Sequence, residues 1–468
     1  MIELLLNVLL ALLMLSYPLA ALRPRHVQSL SLLALLLALA NGLLQWLAGG
    51  RPGPLFSAHP ASAVVVLVVT FIGWVVLRFA WRYLAGEPRR ADFIRGMLWL
   101  LAGVVLVVTT NHALVFLAGW VGISLALHRL LLFYPERPRA QLAAHKKFLL
   151  ARSAELALAT ALALLYVEHH SFYLYELLQP TPGIAGQVAA VLIAIAALIK
   201  CAQLPVHGWL IQVVEAPTPV SALLHAGVIN LGGYLLLLAS PLLTPAARWL
   251  VLLVAGVSLV LATLAMTLQT SIKEKLAWST SSQMGLMLLE CALGLHALAL
   301  LHLAAHSCYK AFSFLSSGEA VSLWLSEQMA PRGRLFPALW LSLPLLAGLY
   351  WLGVSAAALA LLALALVLSG PLAALALSAG YLLQKELFEQ LLLNQPSGML
   401  PALWVVALAL VLLVGFVLVS NPARVRLRHW LQAGCFLDHW ATHLTLLLWP
   451  APALSGRFNR LSNKESLL

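Results

Sequence analysis

Between residues 200 and 229 the chain reads KCAQLPVHGWLIQVVEAPTPVSALLHAGVI, which sets Lys200, Glu215 and His225 among three prolines in the middle of otherwise apolar sequence. Further on, HLAAHSCYK places His302, His306 and Lys310 at i, i+4 and i+8, on one face of a helix. A charged group at mid-membrane costs about 2.5–3.5 kcal/mol on insertion scales, so such groups face the protein interior and mark ion paths. Histidine, with an unperturbed pKa near 6.5, is the natural proton carrier among them. A zinc site is the weaker reading of the histidine stripe, because Leu303 follows His302 where the H-E-x-x-H pattern needs glutamate, and no third ligand lies nearby in sequence. Each group also has a plainer reading. Lys200 could be a lysine snorkelling from a helix end, and His225 a hydrogen-bonded structural residue. Two features favour the ion path: Pro205 breaks the helix five residues after Lys200, and a second titratable group, His225, stands on the adjoining span. Pro219, near the start of that span, is ordinary helix-start chemistry.

The elements that must position these groups follow from composition. With 468 residues, 62% hydrophobic and 9% charged, and a mean hydropathy of +0.95, the chain is a polytopic membrane protein. Leu- and Ala-rich runs without alternating polarity make the spans helical rather than a β-barrel. Apolar runs occur near 3–22, 27–48, 61–84, 93–110, 112–133, 145–168, 185–213, 218–242, 246–269, 273–295, 297–325, 335–352, 354–392 and 400–420. The expectation is an all-α protein of 13 or 14 transmembrane helices. The first run has no basic start and no small-residue cleavage site, and reads as a span rather than a signal peptide.

The net charge of +12 is a membrane-surface signature, since the basic residues cluster at helix ends, and it does not indicate nucleic-acid binding. The short loops at 82–95 (Arg82, Arg89, Arg90, Arg95) and 129–152 (Arg129, Arg137, Arg139, Lys146, Lys147, Arg152) are strongly basic, whereas the loop between them and the one at 168–184 carry no Lys or Arg. The positive-inside rule therefore puts the N-terminus away from the cytoplasm and Lys273 and Lys275 on the cytoplasmic side. Arg424, Arg426 and Arg428 break this alternation if fourteen full spans precede them. The four cysteines are widely spaced, with no CxxC pair, and neither a Walker loop nor GxGxxG is present. No cofactor site is expected in this chain.

Three stretches, KCAQLPVHGWLIQVVEAPTPVSALLHAGVI, LQTSIKEKLAWSTSSQMGLM and HLAAHSCYKAFSFLSSG, occur in the order seen in the proton-translocating antiporter family. That family comprises the antiporter-like subunits of respiratory complex I, such as its subunit 5, and the large subunits of multisubunit cation/proton antiporters. The resemblance runs from about Phe93 to about Leu325. It implies two inverted five-helix repeats, each with a broken helix, spanning 93–242 and 246–392, after N-terminal helices over 1–92 and before a final span, interfacial helix and tail over 393–468. It also implies roles: Lys200 as the central lysine of the first broken helix, His225 as the relay on the next helix, Lys273 as the lysine of the IKxxLAxST stretch, and His302, His306 and Lys310 as the relay of the second half. Lys385, in LLQKELFEQ, would be the lysine of the second broken helix.

Two departures from the family pattern stand out. The family carries Trp-Glu on its fifth helix, but here Val121 follows Trp120, so the carboxylate partner of Lys200 is missing. Glu155, next to Arg152 on the following helix, is the candidate substitute. The sequence also stops without complex I's further spans and long lateral helix, after HWLQAGCFLDHWATHLTLLLWP, which reads as a short interfacial helix. These departures resemble the branch that serves inorganic-carbon accumulation. The resemblance implies a multi-pass subunit of the cell inner membrane that conducts protons and energises a large, cytoplasm-facing, zinc-containing partner of carbonic-anhydrase type. The competing readings are a subunit of NADH-quinone oxidoreductase or of a cation/proton antiporter, and a scaffold without an ion path.

Overall fold

The computed structural model describes residues 24–48, 56, 60–319, 400–421 and 423–450. Lys385 and the runs near 3–22, 335–352 and 354–392 lie outside them. The described residues are all-α apart from two isolated bridges, Phe56 to Thr110 and His112 to Tyr173. In chain order the helices are α1 (Pro24–Ala48), α2 (Pro60–Tyr83), α3 (Arg90–Thr109), α4 (Ala113–Leu131), α5 (Pro138–His169), α6 (Gly183–Lys200) and α7 (Gly208–Gln212). They continue as α8 (Thr218–Leu238), α9 (Pro245–Thr267), α10 (Ile272–Ala292), α11 (His296–Leu315), α12 (Leu400–Ser420), α13 (Val425–Gln432) and α14 (His439–Leu448). Eight of the described helices, α1 to α6, α8 and α9, are long and apolar enough to cross a membrane. α10 and α11 carry more polar groups, among them Lys273, Lys275 and Glu290 on α10 and His302, His306 and Lys310 on α11. The chain is thus a multi-pass, helical membrane protein.

The fold is organised around α8. Every residue of its apolar window is buried inside the protein, which suits a helix that must keep polar groups away from lipid. Tyr234, on α8, donates from its hydroxyl to the Val108 carbonyl of α3 at 2.7 Å and lies 2.8 Å from the Ser62 hydroxyl of α2. Asn230 reaches the Ser307 hydroxyl of α11 at 2.7 Å. The central helix is therefore pinned to both flanks by buried hydrogen bonds.

The apolar run 185–213 is two helices. α6 stops at Lys200, earlier than Pro205, because proline offers no N–H and its ring disfavours helical geometry in the residue before it. Ala202 turns the chain with a φ of +50°. The backbone freed by the break finds partners on neighbouring helices. The Ser281 hydroxyl of α10 donates to the Ala202 carbonyl (2.9 Å), the Gln203 side-chain amide donates to the Ser281 carbonyl (3.1 Å), and the Leu204 N–H donates to the Ser258 hydroxyl of α9 (2.9 Å). Non-helical backbone at membrane depth survives only with such compensation.

Two expectations need correction. Lys146 and Lys147 are not loop residues: α5 begins at Pro138 and runs 32 residues, so both lysines fall inside it and are buried. The C-terminal stretch is not one interfacial helix but two short ones, α13 and α14, joined by a 3₁₀ turn over Gly434–Phe436. This segment packs back on the bundle: Lys146 pairs with Asp438, and the His145 and Trp449 rings stack at 4.9 Å. The Gln269 side chain, in the loop before α10, donates to the Gln432 carbonyl at 3.3 Å. Arg424, Arg426 and Arg428 therefore share a face with Lys273, in accord with the positive-inside rule.

Candidate functional site

The end of α6 opens on a small cavity lined by Trp120, Lys147, Glu155, Lys200, Trp209 and Val228, among others. Its free volume of about 20 Å³ holds on the order of one water molecule. The Lys200 ammonium lies 4.5 Å from the centroid of the buried Trp120 ring, a cation–π contact worth about 0.5–2 kcal/mol. Lys147 and Glu155 reach the same cavity from α5, since eight residues are close to two helical turns. Glu155 accepts from Arg152 at 2.7 Å, and Arg152 also donates to the Ser124 hydroxyl at 3.0 Å. Lys147 donates to the carbonyl and the hydroxyl of Ser124 at 2.7 and 2.8 Å. Two cations and a carboxylate from α5 thus surround a lysine whose family partner is missing at Val121. Lys147 escaped the sequence reading because it adjoins a basic loop, although its spacing from Glu155 was a usable signal.

His225 occupies a π-helical turn, Leu224–Val228, inside α8. Such turns widen the helix and are frequent at functional sites. Val228, in the same turn, lines the Lys200 cavity. On the other side, His225 Nδ1 lies 3.0 Å from the Thr280 hydroxyl, and its ring stacks on Phe314 at 4.3 Å. The Thr280 hydroxyl donates to the Leu276 carbonyl at 2.9 Å, so its oxygen accepts from Nδ1–H. Nε2 has no hydrogen-bond partner among the described residues.

The Leu276 carbonyl also accepts from Lys310 at 3.0 Å. His225 and Lys310, from opposite halves of the protein, therefore meet on one backbone oxygen through Thr280. His306 follows one turn back along α11, buried, with neither ring nitrogen hydrogen-bonded among the described residues. The His302 ring lies 6.3 Å from that of His306. His302 Nδ1 sits 3.0 and 3.1 Å from the two Glu290 carboxylate oxygens, and Nε2 is 2.9 Å from the Gln283 side-chain oxygen. Glu290 is only 3% exposed and was not singled out in the sequence, where nothing distinguishes it except a lone carboxylate in the apolar run LMLLECAL.

The remaining expected residues lie apart from this row. Glu215 sits in a 3₁₀ turn after α7, partly exposed, 3.5 Å from Arg139, whose side chain is 78% exposed. Lys273 sits in the first turn of α10, partly exposed. Neither is brought to the buried groups. Lys385 lies outside the described residues.

A helix broken after Lys200, a π turn carrying His225 and a helix carrying the buried His302, His306 and Lys310 fit an antiporter-like membrane subunit. The family model described as NADH:quinone oxidoreductase/Mrp antiporter matches residues 110–361, and that of the complex I chain 5 N-terminus matches 55–94. The chain belongs to this family. It is 41% identical to the probable inorganic carbon transporter subunit DabB of Hydrogenovibrio crunogenus, over 90% of this chain and 89% of that one. With NADH-quinone oxidoreductase subunit L of Escherichia coli it shares 34% identity over 57% of its length, covering 45% of subunit L. Its fold matches the structure of an Mrp complex from Dietzia sp. with a TM-score of 0.62 at 22% identity; all of this chain is covered, and 59% of that one.

Proposed function

We propose that the chain is the proton-conducting membrane subunit of an inorganic-carbon accumulation complex in the cell inner membrane. One observation carries the proposal: a buried row of titratable groups runs from the Lys200 cavity, past the π turn of His225, to Lys310, His306, His302 and Glu290. In this reading Lys200 is the central carrier of the first half, and Glu155, held by Arg152, supplies the carboxylate that Val121 does not. His225 passes the proton between halves through Thr280 and the Lys310 neighbourhood. Lys385, outside the described residues, keeps the role that the family resemblance implies, the lysine of the second broken helix. Lys273 and Glu215 act at the surface.

The similarity to DabB over nearly the whole of both chains favours carbon accumulation over a respiratory role, because the likeness to subunit L covers little more than half of this chain. One proton falling through about 100 mV releases about 2.3 kcal/mol, enough to shift a near-equilibrium CO₂ hydration by more than about tenfold. The hydration itself belongs to a large cytoplasm-facing partner of carbonic-anhydrase type, which carries the zinc.

The complex purified in mild detergent tests this reading. Zinc in the co-purifying partner, potential-driven proton flux in proteoliposomes, and loss of that flux in Lys200→Met with the complex still assembled are the expected results. Flavin or iron–sulfur subunits in place of a zinc partner would assign the chain to the respiratory branch. Full flux in the Lys200→Met complex would remove the proton path altogether.

A further inference from the structure

A second cluster of ionisable groups lies beneath the returning C-terminal segment, and the buried row does not use it. Lys146 is fully buried on α5, pairs with one carboxylate oxygen of Asp438, and donates to the Thr442 hydroxyl at 2.6 Å. Asp438 keeps 18% of its side chain exposed, beside a wholly buried ammonium. Its other oxygen, Oδ1, has no hydrogen-bond partner among the described residues.

The broken helix supplies the third member. His207, which immediately precedes α7, is buried against Trp278, with ring centroids 4.9 Å apart, and its Nδ1 is also without a partner among the described residues. Gly208 is pressed against the Asp438 carboxyl so closely that a β-carbon there would collide with it. A β-carbon on Gly434 would stand 3.0 Å from His207 Nε2. Unpartnered buried polar atoms cost free energy, and a proton or a water molecule is what fits them. Burial pushes the Asp438 carboxyl above its ordinary pKa, against the pull of Lys146. The residue after Lys146 lines the Lys200 cavity.

We infer that Lys146, Asp438 and His207 form the cytoplasmic proton-exchange site of the first half-channel, and that the C-terminal segment completes it. The inference rests on the proton-conducting reading above. A proton reaching Asp438 converts its carboxylate to the acid and frees the Lys146 ammonium from its partner. Release of that proton to cytoplasmic water restores the ion pair. No bond other than O–H forms or breaks, and the charge moved equals the proton that crosses.

The test uses the whole complex in proteoliposomes under a fixed potential, with Lys200→Met as the reference for a dead path. Asp438→Asn, nearly isosteric, is expected to lower proton flux at least about tenfold. Asp438→Glu should restore most of it, which a purely structural pairing with this tight geometry would not do. Wild-type flux in Asp438→Asn, alongside loss in Lys200→Met, would overturn the exchange site and leave the path standing. If Lys200→Met itself conducts, the underlying reading fails instead. Should Asp438→Asn not assemble, infrared difference spectra of the wild-type complex with isotope-labelled aspartate decide the matter. A buried carboxyl that titrates with pH over the range where flux changes supports the site, and its absence overturns it.

Discussion

The Lys200 ammonium rests 4.5 Å from the centre of the Trp120 ring, and Trp120 is the residue just before the position where the family carries its glutamate. The lysine thus has an aromatic neighbour where the family resemblance implies a direct carboxylate. A ring quadrupole offsets charge less strongly than an ion pair, and it does so without binding a proton. Trp120→Phe, which weakens the contact but preserves an aromatic ring, should reduce proton flux severalfold while the complex stays intact. Equal flux in the two proteins, measured with a pH dye inside proteoliposomes, would reduce Trp120 to a packing residue.

Glu290 holds His302 through both carboxylate oxygens. Glu290→Gln keeps the volume but replaces one of the two carboxylate oxygens facing His302 with an amide nitrogen, which cannot accept. Flux should fall about a hundredfold, within the range general acid–base groups contribute, with assembly unchanged. Unaltered flux would mean that the second half conducts without this pair.

Glu215 serves as the contrast. Its partner Arg139 is 78% exposed, and exposed ion pairs are worth about 0–1 kcal/mol. Glu215→Gln should leave both flux and thermal stability close to wild type. A loss comparable to that of Lys200→Met would return Glu215 to the conducting row.

Backbone contact at the break gives a stability prediction. A β-carbon on Gly232 would stand 2.7 Å from the Ala197 carbonyl and 2.5 Å from Cys201 Sγ, and neither atom can swing away as a long side chain would. Gly232→Ala should destabilise the detergent-solubilised protein by about 1–3 kcal/mol. Gly122→Ala, where nothing lies within 4 Å, should be neutral or slightly stabilising, because alanine is the better helix former by about 1 kcal/mol. Thermal melts of the two variants side by side settle it; equal midpoints would show that α8 shifts freely against α6.

What the sequence disclosed and what it concealed have a common cause. Lys200, His225 and the His302–His306–Lys310 stripe were legible because polar groups in apolar runs violate the local rule for lipid, and because proline marks where the helix must stop. Lys147 and Lys146 were misread as loop cations, since burial is decided by what packs over a residue: Ser124 from one side, the C-terminal segment from the other. Glu290 and Asp438 acquire meaning only through partners 12 and 292 residues away. The π turn at His225 has no composition signal of its own, and neither has the shared carbonyl of Leu276.

Helix α5 has 32 residues and so is about 48 Å long, whereas the hydrocarbon core is only about 30 Å thick. Set along the bilayer normal, it would exceed that core by about 18 Å. Arg139 stands at its head, Lys146 and Lys147 about two turns further along, and Glu155 near its middle. Because an α-helix hardly stretches along its axis, a push or tilt applied at the head by anything seated there reaches the foot almost undiminished. The cavity around Lys200 therefore shares one continuous helix with the exposed end at Arg139, so that a tilt of that end is carried to the cavity wall.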